Sequence, residues 1–146
     1  MIRQATPQDI PAIIDLLYTL HSESPVYSEE PVDEFYVEAN LLQMLESEGA
    51  VVLIDDEYRG FMIGAFAPNW FSRTVQAYEV ILCIAPEHRG GILAARLIKE
   101  FERYAKSKGA VTVSAGASTG MSDERTINLY IRLGYVAKTP TVTKRL

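Results

Sequence analysis

The 146-residue chain predicts one α/β domain, 1–146, on a mixed, mostly antiparallel sheet with helices on both faces. Apolar runs of strand length at 50–54 and 61–67 flank a polar hexapeptide, the pattern of an antiparallel hairpin. Amphipathic stretches of helical length alternate with further apolar runs, as crossover helices do. No repeat, low-complexity tract or linker divides the chain.

Ile2 to Ala5 reads as a short strand. Thr6-Pro7-Gln8-Asp9 follows as a helix start, with Thr6 as N-cap, Pro7 at the first helical position and Asp9 in the first turn. Ile10, Ile13, Ile14, Leu17 and Leu20 then recur at helical spacing and form one core-facing stripe. His21 to Pro31 is expected to be a polar loop. A second helix is expected from about Val32 to Glu46, with Val37, Leu41, Met44 and Leu45 on one face, ending before Gly49. Ala50–Ile54 and Phe61–Ala67 are strands joined by Asp55-Asp56-Glu57-Tyr58-Arg59-Gly60. After a loop at Asn69–Arg73, Val75–Ile84 is the next strand. A helix over about Gly91–Lys108 buries Ala94, Leu97, Ile98, Phe101 and Ala105, and Gly109 ends it. Ala110–Ala115 reads as a strand and Ser118–Ser122 as a loop. Ser122 then caps a short helix to Leu133 that Gly134 terminates. Tyr135–Lys138 and Thr141–Lys144 are expected to close the chain as a last hairpin, giving the order β-α-α-β-β-β-α-β-α-β-β.

Apolar content of 48% and charged content of 23% suit a soluble globular protein. A single cysteine, Cys83, excludes a disulfide framework and points to a reducing compartment; within an apolar run it reads as a small buried hydrophobe. No signal peptide and no membrane-length apolar run is present, so a cytoplasmic location without a membrane partner is expected. The net charge of −5 is unevenly spread. Residues 1–58 carry 1 base and 13 acids (−12), whereas 59–146 carry 13 bases and 6 acids (+7). Overall acidity, and the lack of a basic cluster with interleaved aromatics, argue against a nucleic-acid partner.

Chemistry concentrates between Ile81 and Leu97. There an apolar strand runs through Pro86-Glu87-His88-Arg89-Gly90-Gly91 into an amphipathic helix. Glycines at a helix start let backbone N–H groups converge on one point with the helix dipole behind them, an arrangement that binds anions and most often phosphate. A plain strand-to-helix turn is the structural alternative. Glycine spacing excludes both the dinucleotide fingerprint and the P-loop. His21 and His88 have no Ser or Cys partner at a recognisable spacing, so neither a nucleophilic triad nor a metal site is expected.

Two motifs extend this reading. Arg89-Gly90-Gly91-Ile92-Leu93-Ala94, led in by Ile84-Ala85-Pro86-Glu87-His88, resembles the Q/R-x-x-G-x-G/A signature of the GNAT superfamily of N-acetyltransferases. Arg89 and Ala94 match, while Ile92 stands where a glycine is usual and Gly91 comes one residue early. Downstream, Thr126-Ile127-Asn128-Leu129-Tyr130-Ile131-Arg132-Leu133-Gly134-Tyr135 is similar to that family's A-x-x-L-Y-x-x-x-G-F/Y ending.

The resemblance implies a GNAT-like mixed sheet with a splayed pair of central parallel strands, and acetyl-CoA as co-substrate. Backbone amides from Gly90 to Leu93 would cradle the CoA diphosphate, with Arg89, Gly90, Gly91, Ile92, Leu93, Ala94 and Asn128 in the cofactor site. Leu82, Cys83 and Ile84 would pair their backbone with the pantetheine arm. The ordinary helical φ/ψ that a β-branched Ile92 requires suits a helix start. Glu79 would be the general base for the amine, its pKa raised by burial; a solvent-facing carboxylate is the alternative. Tyr130 would be the acid for the departing thiolate, or else a core aromatic. A strand amide near Leu82 would hold the oxyanion.

In such a fold the acidic half, with Glu23, Glu29, Glu30, Asp33, Glu34 and Glu38, walls the acceptor pocket. The basic half, with Arg89, Arg96 and Lys99, meets the anionic cofactor. A cationic amine is therefore the expected acceptor, either a small molecule or a lysine-type peptide amine. A non-catalytic acyl-CoA-binding or protein-interaction module remains the alternative, and a strand-edge homodimer stays open.

Overall fold

The computed structural model describes residues 1–117, 119–121, 123–138 and 141–146. Its elements are β1 (Ile2–Gln4), α1 (Ile10–Glu23), α2 (Glu34–Glu46), β2 (Ala50–Asp55), β3 (Gly60–Pro68), β4 (Val75–Ile84), α3 (Leu93–Ser107), β5 (Thr112–Ser114) and α4 (Asp123–Arg132). The five strands lie in chain order, antiparallel from β1 to β4, with β5 parallel to β4. Tyr135–Lys138 and Thr141–Lys144 lie in coil, so the expected last hairpin is absent among the described residues and β5 stands at one edge of the sheet, with β1 at the other. These segments are short, and most of their residues are exposed.

Element ends differ from the sequence reading where caps decide them. A 3-10 turn at Pro7–Asp9 precedes α1, and Asp9 reaches back to accept the Thr6 N–H at 2.8 Å. Helix α1 runs on to Glu23, into the stretch expected as loop, and a further 3-10 turn occupies Tyr27–Glu29. Asp33 caps α2 by accepting the Tyr36 N–H. Ile92 is the N-cap of α3, so that helix begins at Leu93 rather than Gly91. The proposed cap at Ser122 lies outside the described residues.

Two cores sandwich the sheet. On one face α1 and α2 pack Ile10, Ile13, Ile14, Leu20 and Leu41 against Val52, Ile54, Phe61, Ile63, Ile81 and Cys83. On the other, Leu97, Ile98, Phe101 and Ala105 of α3 and Tyr130 of α4 cover Val51, Leu53, Met62 and Ala77. Alternate residues of β2 thus feed opposite cores, which explains its unbroken apolar run. Burying each such large side chain stabilises by roughly 1.5–3 kcal/mol. Gly64 lets Phe101 lie flat on β3, for a Cβ there would sit 2.0 Å from the ring.

Two buried carboxylates fix the sheet's outer end. Asp9 accepts from both Arg3 terminal nitrogens, at 2.7 and 2.9 Å, and from the Tyr58 hydroxyl at 2.9 Å. Asp55 accepts from the Arg59 side chain and from the Glu57 and Arg59 N–H groups, closing the β2–β3 hairpin. The Arg59 guanidinium holds the Asp55 carboxyl at about 2.

The site is prepared by two irregularities of β4. Ile63 pairs with Ile81 but Gly64 pairs with Glu79, so Val80 is an extra, bulged residue. The bulge reverses the alternation: Ala77 and Glu79 share the α3–α4 face with Leu82 and Ile84, while Ile81 and Cys83 turn to the other core. Parallel pairing with β5 stops at Tyr78, so the β4 edge from Glu79 onward has no strand partner among the described residues. The sheet is therefore open at that point.

Candidate active site

A cleft enters the sheet where β4 and β5 part. Glu79, Leu82 and Ile84 of β4 form its floor, Leu20 and Tyr27 one wall, and the Arg89–Gly91 turn with Ala94 the other. Thr119, Met121 and the α4 residues Arg125, Thr126, Leu129 and Arg132 complete it.

Sequence around the turn dictates its shape. Pro86 opens a 3-10 turn through His88, and Arg89 returns to extended backbone. The Arg89 Nε donates to the Ile84 carbonyl at 2.9 Å, closing the loop onto β4. Gly90 has φ of +88°, the left-handed region that glycine alone enters without strain. Ile92 has φ −94° and ψ −3°, near-helical values that its branched side chain accepts, and that side chain points to solvent, 62% exposed. The first amides of α3 have no intrahelical acceptor and stand beside Gly90 and Gly91. Such a turn can hold an anionic group, and the unpaired β4 edge can pair with an extended amide chain.

Glu79 and Tyr130 meet across the opening. The Tyr130 hydroxyl donates to Glu79 Oε2. Tyr130 is itself buried, with its ring edge-on to Tyr135 at 5.0 Å. Burial pushes the Glu79 carboxyl up to about 7. The solvent-facing alternative for Glu79 is thus not what the structure has: the bulge at Val80 turns Glu79 inward and leaves Val80 46% exposed. A carboxyl poised near neutrality beside a phenol can accept a proton from one group and return one to another.

The other sequence-derived residues divide. Gly90, Gly91, Ala94, Leu82 and Ile84 line the cleft. The Cys83 side chain faces the opposite core, 3.6 Å from the Leu16 carbonyl, and burial raises its thiol to about 12, so only its backbone reaches the open edge. Leu93 is buried under the helix start. Asn128 is exposed and off the cleft, because the α4 face that lines it carries Arg125, Thr126, Leu129 and Arg132, spaced by three, four and seven residues.

Arg89 borders the cleft and has a second engagement that the sequence did not show. Its guanidinium forms a two-pronged pair with Glu23, at 2.8 and 3.1 Å, and braces the turn against the end of α1. Each charge stabilises the other: the Glu23 carboxyl is lowered and the Arg89 guanidinium raised. Lys99 pairs with Glu102, and neither Lys99 nor Arg96 borders the cleft.

Part of the acidic cluster is likewise engaged. Glu29 and Glu30 hold Arg145, and Glu34 accepts from Tyr18. His88 borders the cleft, and His21 Nε2 lies 2.5 Å from the Glu30 carbonyl. No group of His, Cys, Asp and Glu among the described residues could hold a metal ion, and no helix among them is long and apolar enough to cross a membrane.

Leu20, Tyr27, Met121 and Arg125 escaped the sequence reading. Tyr27 and Met121 sit in polar loops with no periodicity to mark them. Arg125 carried a usable signal, since it lies one residue before the matched Thr126–Tyr135 motif.

The model of the Acetyltransferase (GNAT) family matches residues 14–135. No curated protein matches the chain. Solved structures share its fold over nearly all of their length. An aminoglycoside acetyltransferase from an uncultured soil metagenomic sample is 22% identical, with TM-score 0.76 over 100% of this chain and 97% of that one. A putative acetyltransferase from Agrobacterium tumefaciens is 17% identical, with TM-score 0.80 over 100% and 99%. The ribosomal-protein-alanine N-acetyltransferase of Brucella melitensis is 20% identical, with TM-score 0.75 over 100% and 98%. With the family model spanning the glycine turn, the opened β4 edge and the Tyr130 helix together, the chain belongs to the GNAT acetyltransferase family.

Proposed function

We propose that this protein is an acetyl-CoA-dependent N-acetyltransferase, moving an acetyl group to a primary amine by direct attack in a ternary complex. The observation that carries this reading is the contact between Glu79 and Tyr130 at the opening of the sheet. Acetyl-CoA, when bound, supplies the activated acyl group as a thioester. The residues present suit it: the left-handed Gly90 leaves room for a diphosphate above the α3 amides, and the unpaired β4 edge matches the amide-bearing pantetheine arm.

Glu79 then takes a proton from the acceptor ammonium, directly or through one water, so that the free amine attacks. A carboxyl near 7 is basic enough to do this and is about half ionised at pH 7. Tyr130 gives its hydroxyl proton to the departing thiolate, the protonated Glu79 beside it restores that proton, and the re-formed carboxylate takes the remaining extra proton from the acylated nitrogen and passes it to water. The β4 amide near Leu82 stabilises the oxyanion. For the acceptor, the acidic half of the chain favours a cationic amine through its long-range charge. Asp33 and Glu38 are exposed but do not border the cleft, and Glu29 and Glu30 are held by Arg145. Fold neighbours named as an aminoglycoside and a ribosomal-protein-alanine acetyltransferase are in keeping with an amine acceptor.

A non-catalytic acyl-CoA-binding module is the second reading, favoured by the engagement of Arg89 with Glu23 and by Ile92 in place of glycine. Thiol release from acetyl-CoA against a panel of polyamines, aminoglycosides, basic peptides and neutral alcohols separates the two. Turnover with cationic amines supports the enzyme. Tight acetyl-CoA binding with no transfer to any acceptor supports the module, and preference for a neutral acceptor removes the electrostatic part.

A further inference from the structure

Arg125, in the first turn of α4, has no role so far, yet it stands directly over the glycine turn. A Cβ built on Gly90 would lie 2.9 Å from Arg125 Nη2, so the guanidinium covers the face that the glycine leaves bare. Among the described residues it makes no hydrogen bond and no ion pair. Arg3, Arg59, Arg89, Arg103 and Arg145 each have a carboxylate partner; Arg73, Arg96 and Arg132, like Arg125, have none among the described residues, but it is Arg125 that stands over Gly90. The turn's own arginine, Arg89, is spent on Glu23. A cation left unpaired beside helix-start amides has one evident complement, a phosphate whose oxygens face both.

We infer that Arg125 closes the phosphate site from the α4 side and selects diphosphate-bearing thioesters over those lacking the diphosphate. This rests on the acyl-CoA reading above. The amides of the α3 start would hold one side of the diphosphate, and Arg125 the side exposed across Gly90. The planar fork of arginine suits two phosphate oxygens at once, which a lysine point charge does not.

The test is calorimetric binding of acetyl-CoA and of acetyl-pantetheine, which lacks the diphosphate and nucleotide, to the wild type, Arg125→Ala and Arg125→Lys. Arg103→Ala is the control, a surface arginine remote from the cleft. Charge-assisted hydrogen bonds to phosphate predict a loss of roughly tenfold or more in acetyl-CoA affinity for Arg125→Ala. Arg125→Lys should recover part of that loss, and raised salt should narrow the gap. Acetyl-pantetheine should bind the wild type and Arg125→Ala within about twofold of one another. Equal acetyl-CoA affinity in wild type and Arg125→Ala overturns the inference and leaves the acyl-CoA reading standing. An equal loss of both ligands also overturns it, since that marks a packing role. A wild type that binds no acetyl-CoA defeats the acyl-CoA reading itself, and this inference with it.

Discussion

Replacing Glu79 by Gln should make the protein less active and more stable, and the gain in stability should depend on pH. Burial raises the Glu79 carboxyl from its ordinary 4.5 to about 7. Between those values the folded protein keeps a proton that the unfolded chain has lost, so stability falls as pH rises through that window. At about 1.4 kcal/mol per pH unit, the interval corresponds to roughly 3 kcal/mol. The Tyr130 hydroxyl, donating to the same carboxylate, offsets part of it, leaving about 1–3 kcal/mol. Glutamine keeps the shape and can still accept from Tyr130, but carries no charge to desolvate. Urea unfolding at pH 4, 6 and 8, followed by far-ultraviolet circular dichroism, measures the difference; Trp70, the only tryptophan, is 94% exposed and a poor reporter. The Glu79→Gln advantage should be near zero at pH 4 and reach its full size by pH 8. In the same variant kcat/KM should fall by about 10²–10⁴-fold, and the rise of wild-type activity through pH 7 should disappear. A stability difference independent of pH would refute the buried, proton-poised carboxyl.

Other sites give separate tests. Tyr130→Phe removes the hydroxyl but keeps the ring against Tyr135, so kcat should drop by about 10²-fold or more with acetyl-CoA affinity nearly intact; a matching loss of affinity would mark a packing role. Gly64→Ala drives a methyl into the Phe101 ring and should cost about 1–3 kcal/mol in chemical unfolding, and an unchanged midpoint would contradict the close approach. The Arg3 guanidinium holds the Asp9 carboxyl well below the usual carboxylate range, so its stabilisation is full above about pH 4 and fades as pH falls below that. Asp9→Asn should therefore destabilise by about 2–3 kcal/mol at pH 7 and by clearly less at pH 3. An equal penalty at both would mean that shape, not charge, holds Asp9.

Local periodicity and local backbone chemistry made much of this protein legible before any fold was known. Apolar runs of strand length marked both strands of the β2–β3 hairpin, and helical stripes located the faces of α1 and α3. Gly90 announced a turn because only a residue without Cβ takes its conformation freely, and Tyr130 was marked by the residues around it. Failures came where a contact, not a pattern, decides. The terminal hairpin needed a sheet edge to join, and its alternation alone supplied none. Arg89, read as part of the cofactor site, does border the cleft, but its pairing with Glu23, brought to it by α1 across 66 positions of chain, was not legible in the sequence.

Glu79 shows the division most clearly. A carboxylate inside an apolar strand was conspicuous in the sequence, but a strand has two faces and its composition does not choose between them. One extra residue, Val80, bulging from β4 against Ile63 and Gly64, turned Glu79 toward Tyr130. Arg125 likewise gained its meaning only when α4 was laid over Gly90. Side-chain period and φ/ψ preference are properties of neighbours in the chain, whereas charge pairing, burial and register are properties of neighbours in space. The former could be read from residue order; the latter exist only once the sheet and its two helical layers have closed.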